Sequence, residues 1–114
     1  MKFEIWQLHL DEEVARRVNK GERPKEWILY SDIRVLGSKE AVLKAWEAGM
    51  YRHVANIEAF DLEDVFETGN IGPEERIERL GPMHSVSVGD VVVGDGKWLC
   101  ESIGWGSLES KEEA

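Results

Sequence analysis

Alternation of apolar and polar residues predicts three strands in the first sixty positions. In KFEIWQLHL, residues 2–10, the alternation slips by one position at Trp6, which indicates a strand that either is partly covered on both faces or contains a bulge. In YRHVANIEAF, residues 51–60, apolar residues occur on both sides of the strand, so the side that faces the core stays open. The run WILY, residues 27–30, follows a proline and is rich in strand-forming side chains, which favours a third strand.

Apolar residues at helical spacing predict four helices. The clearest is SKEAVLKAWEAGM, residues 38–50, in which Ser38 is the expected N-cap. DLEDVFETGN, residues 61–70, is the second strong helix. DEEVARRVNKG, residues 11–21, predicts a short surface helix, and PEERIERL, residues 73–80, predicts another that begins at a proline.

A hairpin is predicted where GDG joins the strand-like runs VSVGDVVV and KWLCES. Asp-Gly between such runs is typical of a two-residue turn in which both central residues have positive φ. The residues expected to shape this hairpin are Gly89, Asp90, Gly94, Asp95 and Gly96. The side chains expected to share one of its faces are Val91, Val93, Trp98 and Cys100.

The order of these elements, β-α-β-α-β-α-α-β-β, predicts an α+β fold. The chain has 114 residues, which suits one domain with one core. We expect a single domain over residues 1–108, with a small, mostly antiparallel sheet whose C-terminal hairpin packs against short helices. The last residues, 109–114, are expected to form a solvated acidic tail.

The net negative charge of the chain comes from its second half. The net charge is −9, and residues 61–114 hold thirteen acidic residues against four basic ones, whereas the first sixty residues balance. Such a negative field repels nucleic-acid phosphates and attracts basic surfaces. The composition therefore argues against direct nucleic-acid binding and favours a basic protein as partner.

Membrane, metal and cofactor chemistry find little support in the sequence. No apolar run approaches the roughly 20 residues that a membrane span needs, and the N-terminus lacks the apolar core of a signal peptide; a cytoplasmic location is expected by default. A single cysteine, Cys100, excludes an intrachain disulfide and a cysteine-based metal site. The acidic stretch DLED does not match a calcium loop, and GDVVVGDG does not match a phosphate loop, so no metal or cofactor is predicted.

Catalysis has one candidate, His84, in the stretch MHSVS. Neither the serines beside it nor Cys100 lies in a recognised nucleophile motif, so no catalytic residue is assigned. An enzyme would require a pocket that holds His84 together with a carboxylate of shifted pKa.

The helix at residues 61–70 offers a docking surface. If Leu62, Val65 and Phe66 face the core, the acidic side chains face solvent. A solvated helix face is the simplest interpretation, and a surface for a basic partner is the functional one. The predicted partner-binding residues are Asp61, Glu63, Asp64 and Glu67, with Trp105, flanked by two glycines, as a partly exposed aromatic anchor.

Residues 51–106 carry a resemblance to a known family. HVANIEAFDLEDVFETGN followed by HSVSVGDVVVGDGKWLCESIGW resembles YodL-like domains and uncharacterised proteins of phages and mobile elements. The positions that carry the pattern are Ser85, Ser87, Val88, Gly89, Asp90, Val91, Val92, Gly96, Cys100, Gly104 and Trp105. The resemblance implies no established reaction, cofactor or catalytic residue. It implies a small accessory protein of bacteria, plasmids or phages.

These observations favour a non-enzymatic acidic binding protein of phage or mobile-element type, such as an inhibitor of a host nucleic-acid-handling or defence protein. Two alternatives stay open: a small structural or regulatory domain whose acidity serves solubility, and an enzyme that uses His84 and a carboxylate. The sequence leaves open the identity of the partner and the oligomeric state.

Overall fold

The computed structural model describes residues 1–108, and the predicted tail at 109–114 lies outside them. The described residues form one α+β domain, as the sequence predicts. The helices are α1 (Glu12–Asn19), α2 (Lys25–Leu36), α3 (Lys39–Glu47) and α4 (Leu62–Asn70). The strands are β1 (Lys2–Leu8), β2 (Tyr51–Glu58), β3 (Ile77–Arg79), β4 (Val91–Gly94), β5 (Gly96–Cys100) and β6 (Trp105–Ser107).

All six strands form one antiparallel sheet in the order β3-β2-β1-β4-β5-β6. Both faces of the sheet are covered. Side chains of α4 pack on one face, in the cluster Phe3, Ile5, Val54, Ala55, Ile57, Ala59, Val65, Val86, Val92 and Cys100. Side chains of α2 and α3 pack on the other, in the cluster Leu8, Ile33, Ala41, Val42, Ala45, Met50, Tyr51, Val91, Leu99 and Leu108. Because both faces of the sheet are covered, the strands carry apolar residues on both sides.

Of the two explanations for the irregular alternation at Trp6, coverage of both sides of β1 is confirmed, since Ile5 lies in one buried cluster and Leu8 in the other. A β-bulge does interrupt the pairing of β1 with β2, but it lies in β2 and not in the strand where it was predicted. Ile5 pairs with Ala55 and Trp6 pairs with His53, so β2 has one extra residue, Val54, between the two pairs. The bulge places Val54 and Ala55 in the same cluster although they are neighbours in the chain. It also explains why no single side of β2 could be assigned to the core from the sequence.

The strand predicted at residues 27–30 is wrong, because this run lies within α2. Pro24 occupies the N-cap, where its φ of −65° suits a helix start, and Gly37 ends the helix at a φ of 65°. Ile33 is fully buried on the inner side of α2. Val35 and Leu36 are apolar yet exposed, so the helical period is obscured in the sequence.

The helix predicted at residues 73–80 is also wrong. A single 3-10 turn at Glu74–Arg76 is followed directly by β3, which pairs with β2. Ile77 lies opposite Ile57 in this pairing and packs against the buried cluster on the α4 side. Pairing with the edge of β2 decides the conformation here, since the segment is too short for a stable helix.

The C-terminal hairpin is confirmed. The prediction of which side chains share one of its faces is wrong, because the two strands are offset by one residue from the predicted pairing. Val91 pairs with Leu99 and Val92 pairs with Trp98. Val92 and Cys100 therefore belong to the cluster under α4, whereas Val91 and Leu99 belong to the opposite one. The turn differs as well, because Gly96 has a φ of 107° while Asp95 has no positive φ.

The helices α1, α3 and α4 form where the sequence predicts them. Ser38 caps α3, since its hydroxyl accepts a hydrogen bond from the Ala41 N–H at 3.2 Å. Among the described helices, none is long and apolar enough to cross a membrane.

Candidate functional site

A groove with a volume of about 340 Å³ lies between α4 and the turn that joins β5 to β6. It is lined by Glu63, Phe66, Cys100, Glu101, Ser102, Gly104 and Trp105. These residues form what we call the acidic-aromatic groove. It contains Glu63 and Trp105, two of the five residues that the sequence predicts for partner binding.

The orientation of α4 delivers the first side of the groove. Val65 is fully buried and Thr68 is 1% exposed, so these two residues fix the inner side of the helix. Glu63 and Phe66, three positions apart, consequently share the outer side. The expectation that Phe66 faces the core is wrong, because its side chain is 44% exposed. Thr68 occupies the inward position instead, and a search for periodic apolar residues does not identify it because threonine is polar.

The second side is the turn after β5. The Glu101 N–H donates to the Gly104 carbonyl at 3.1 Å, which closes the turn and returns the chain into β6. Trp105 pairs with Cys100 in the sheet and packs, half-buried, against the cluster under α4. Glu101 lies directly over Gly106, where a Cβ would come within 2.4 Å of its Oε2 atom. A larger residue at position 106 would require the Glu101 carboxylate to move.

The remaining predicted residues lie along α4 in different roles. The Asp61 carboxylate is the N-cap and accepts from the Asp64 N–H at 2.9 Å. The Asp64 carboxylate accepts from Arg76 at 3.0 Å, so its charge is neutralised within the chain. Glu67 is exposed. The acidic face of α4 is thus not one continuous free surface, and its unpaired part adjoins the groove.

Removing the cap should separate the structural role of Asp61 from any role in binding. We expect Asp61→Ala to lower the free energy of unfolding by about 1 kcal/mol, the usual effect of losing a side-chain N-cap. Asp11 is the matched control, because it is the N-cap of α1 but forms no side-chain cap hydrogen bond. Asp11→Ala should change stability by less than about 0.5 kcal/mol in the same urea titration. Equal losses in the two variants would contradict this role for Asp61.

A second polar cluster joins the loop before β4 to β1. Asp90 is fully buried, and its Oδ2 accepts from the Ser87 N–H at 3.0 Å and from Gln7 Nε2 at 2.9 Å. Gln7 also accepts from the His84 N–H at 3.1 Å. Burial raises the pKa of Asp90 to about 6, against the lowering effect of these hydrogen bonds and of the charges of His84 and Arg34. Asp90, predicted as a hairpin residue, therefore anchors the loop to the centre of the sheet.

His84 borders this cluster, since its Nδ1 atom lies 3.3 Å from Gln7 Nε2. His84 lines a separate cavity of about 170 Å³, whose described lining includes Glu74 and Arg79 but not Asp90. Burial raises the pKa of the Cys100 thiol to about 11, which disfavours the nucleophilic thiolate. Within residues 1–108, no group of three or more histidine, cysteine or carboxylate side chains could hold a metal ion.

Sequence reasoning missed Phe66 and Glu101 as parts of the groove. Phe66 was assigned to the core on the basis of helical period, although its position three residues after Glu63 was the available signal. No sequence pattern identifies Glu101 as part of the groove, because Glu101 comes close to α4 only through the position of β5 in the folded sheet.

The described residues thus define a single-domain α+β protein with a six-stranded antiparallel sheet and one acidic-aromatic groove. No protein-family model, no curated protein and no solved structure matches this chain.

Proposed function

We propose that this chain is a non-enzymatic binding protein that captures a basic protein partner through the acidic-aromatic groove. The observation that carries the proposal is the placement of Glu63 and Trp105 in one concave site, together with Phe66 and Glu101. A few residues provide most of the binding free energy of an interface, and tryptophan is enriched among them. Carboxylates beside them direct a basic surface to the site and speed its association.

The setting that we propose is an accessory protein of a phage or mobile element that inhibits a host nucleic-acid-handling or defence protein. Two features support it: the resemblance of residues 51–106 to YodL-like and mobile-element proteins, and the net charge of −9. A lysine- and arginine-rich surface that normally holds phosphates is complementary to such an acidic chain.

Charge reversal at the groove tests the proposal. The probe is a basic peptide of mixed lysine and arginine residues, titrated by calorimetry at low salt. We expect Glu63→Lys to weaken its binding by about tenfold or more, which corresponds to about 1.4 kcal/mol. Glu12→Lys is the matched control, because Glu12 and Glu63 both lie, exposed, in the first turn of a helix. The control should weaken binding by less than about threefold, through net charge alone.

Equal weakening by both substitutions would contradict the proposal. It would show that negative charge acts without a defined site, and it would favour the alternative in which acidity serves solubility. Circular dichroism of both variants checks that the fold is intact before the titrations are compared.

A further inference from the structure

The lining of the acidic-aromatic groove combines two kinds of cation-binding group. Glu63 and Glu101 are its acidic residues, and Phe66 and Trp105 are its aromatic ones. Within residues 1–108, neither glutamate forms an ion pair, and no lysine or arginine lines the groove. The Glu101 carboxylate lies over Gly106, on the side of the sheet that carries Leu99 and not on the side that carries Trp105. Glu63 is therefore the carboxylate that can act beside the two rings.

The size of the groove limits the ligand. A volume of about 340 Å³ lies at the lower end of the range for small-molecule sites. Such a cavity suits one side chain of a partner better than a folded segment. One cationic side chain of the basic partner proposed above would fit a cavity of this size.

Arginine fits this lining better than lysine does. The planar guanidinium stacks on aromatic rings and donates paired hydrogen bonds to carboxylates, whereas the ammonium of lysine is a compact and strongly hydrated charge. The combination of two rings with the Glu63 carboxylate uses both properties of the guanidinium at once.

The same chain shows this arrangement around one of its own arginines. Arg76 donates to the Asp64 carboxylate at 3.0 Å, and its guanidinium carbon lies 5.7 Å from the centre of the Phe60 ring. Asp64 and Phe60 thus hold a guanidinium between a carboxylate and an aromatic ring at the start of α4. The groove repeats this pairing of chemistries on the side of α4 that bears Glu63 and Phe66.

We propose that the acidic-aromatic groove binds one arginine side chain of the partner, with its guanidinium stacked on Trp105 or Phe66 and hydrogen-bonded to Glu63. This inference rests on the function proposed above and makes it more specific. It predicts that the groove distinguishes arginine from lysine and from the uncharged isostere citrulline.

Three blocked pentapeptides test the inference: a central arginine, lysine or citrulline flanked by glycines. Each is titrated into the ¹⁵N-labelled full chain, and the indole N–H of Trp105 and the amides of Glu63 and Glu101 are followed by NMR. We expect saturable shifts with the arginine peptide, binding weaker by about fivefold or more with lysine, and no shift of these signals with citrulline.

A matched pair of variants localises the effect. Glu63→Gln should weaken arginine binding by about tenfold or more, whereas Glu12→Gln, which removes the same charge from α1, should leave it within about twofold.

The possible contrary results separate this inference from the proposed function. Equal affinity for lysine and arginine, lost in the groove variant, would overturn the arginine preference and leave a basic-partner site in place. Groove signals that do not respond to any pentapeptide would also overturn it, while the longer basic probe with Glu63→Lys decides the proposed function independently. Equal binding of citrulline, or equal weakening by the α1 variant, would overturn both.

Discussion

Substituting Gly89 by alanine is expected to lower the free energy of unfolding by about 3 kcal/mol, since a strained backbone and an overpacked core each cost about 1–3 kcal/mol. Gly89 has a φ of 97°, a backbone conformation that residues with a Cβ atom rarely adopt. An added Cβ would also lie 2.7 Å from Cγ2 of Ile33, which is fully buried between α2 and the sheet and has little freedom to move. The loop cannot easily shift to relieve this contact, because the Gly89 carbonyl accepts a hydrogen bond from the Tyr51 hydroxyl at 2.5 Å.

Gly21 provides a matched control for this substitution. Its φ of 95° nearly equals that of Gly89, but an added Cβ would meet no atom within 4 Å. Gly21→Ala should therefore cost only the backbone strain, about 1 kcal/mol. The difference between the two variants in guanidinium titrations measures the contact with Ile33. Losses of equal size would show that Ile33 yields to the added methyl group.

Replacing Asp90 by asparagine is expected to remove a large pH dependence of stability. The pKa of Asp90 is about 6 in the folded chain, above its ordinary value of 3.8, because burial penalises the charged carboxylate. The folded state therefore holds this proton more tightly than the unfolded state does. Its stabilising effect is fully present below pH 4 and is lost as the pH rises from about 4 to about 6. The loss amounts to about 3 kcal/mol at 1.36 kcal/mol for each unit of pKa.

The comparison of the two proteins isolates this group. We measure the free energy of unfolding of the wild type and of Asp90→Asn between about pH 3 and pH 7. The stability of the variant relative to the wild type should rise by about 3 kcal/mol over this range, because titrations common to both proteins cancel. A second variant, Arg34→Gln, should steepen the pH dependence, since the charge of Arg34 lowers the pKa of Asp90 from 3.9 Å away. A constant difference between wild type and Asp90→Asn would contradict the assignment.

Periodicity along the chain was sufficient for the elements whose inner and outer sides differ. Ser38 and the apolar positions of α3 predicted that helix with its cap, and the slip at Trp6 predicted that both sides of β1 are covered. The Gly-rich turn predicted the hairpin, because local backbone conformation determines where the chain reverses. Glu63 and Trp105 were also identifiable in the sequence, as an acidic residue near a helix start and a tryptophan between glycines.

Periodicity was not sufficient where tertiary contacts set the conformation. The helix α2 has apolar residues on its exposed side as well, so the run at residues 27–30 satisfied strand and helix patterns alike. The strand β3 has three residues and exists through its pairing with β2. The side chains that share one face of the hairpin differ from the prediction. Its register against β1 places Val92 in one buried cluster and Val91 in the other.

The sequence by itself determined the α+β class, the strongly amphipathic helices, the hairpin and the acidity of the second half. The tertiary structure alone decided how those acids are used. It paired Asp64 with Arg76, buried Asp90 beside Gln7, and brought Glu101 next to α4. The physical reason is that local pattern fixes which side of an element is apolar, whereas the order of strands in the sheet fixes which distant side chains meet. Gln7 and Asp90, separated by 83 positions, are neighbours because β1 lies between β2 and β4.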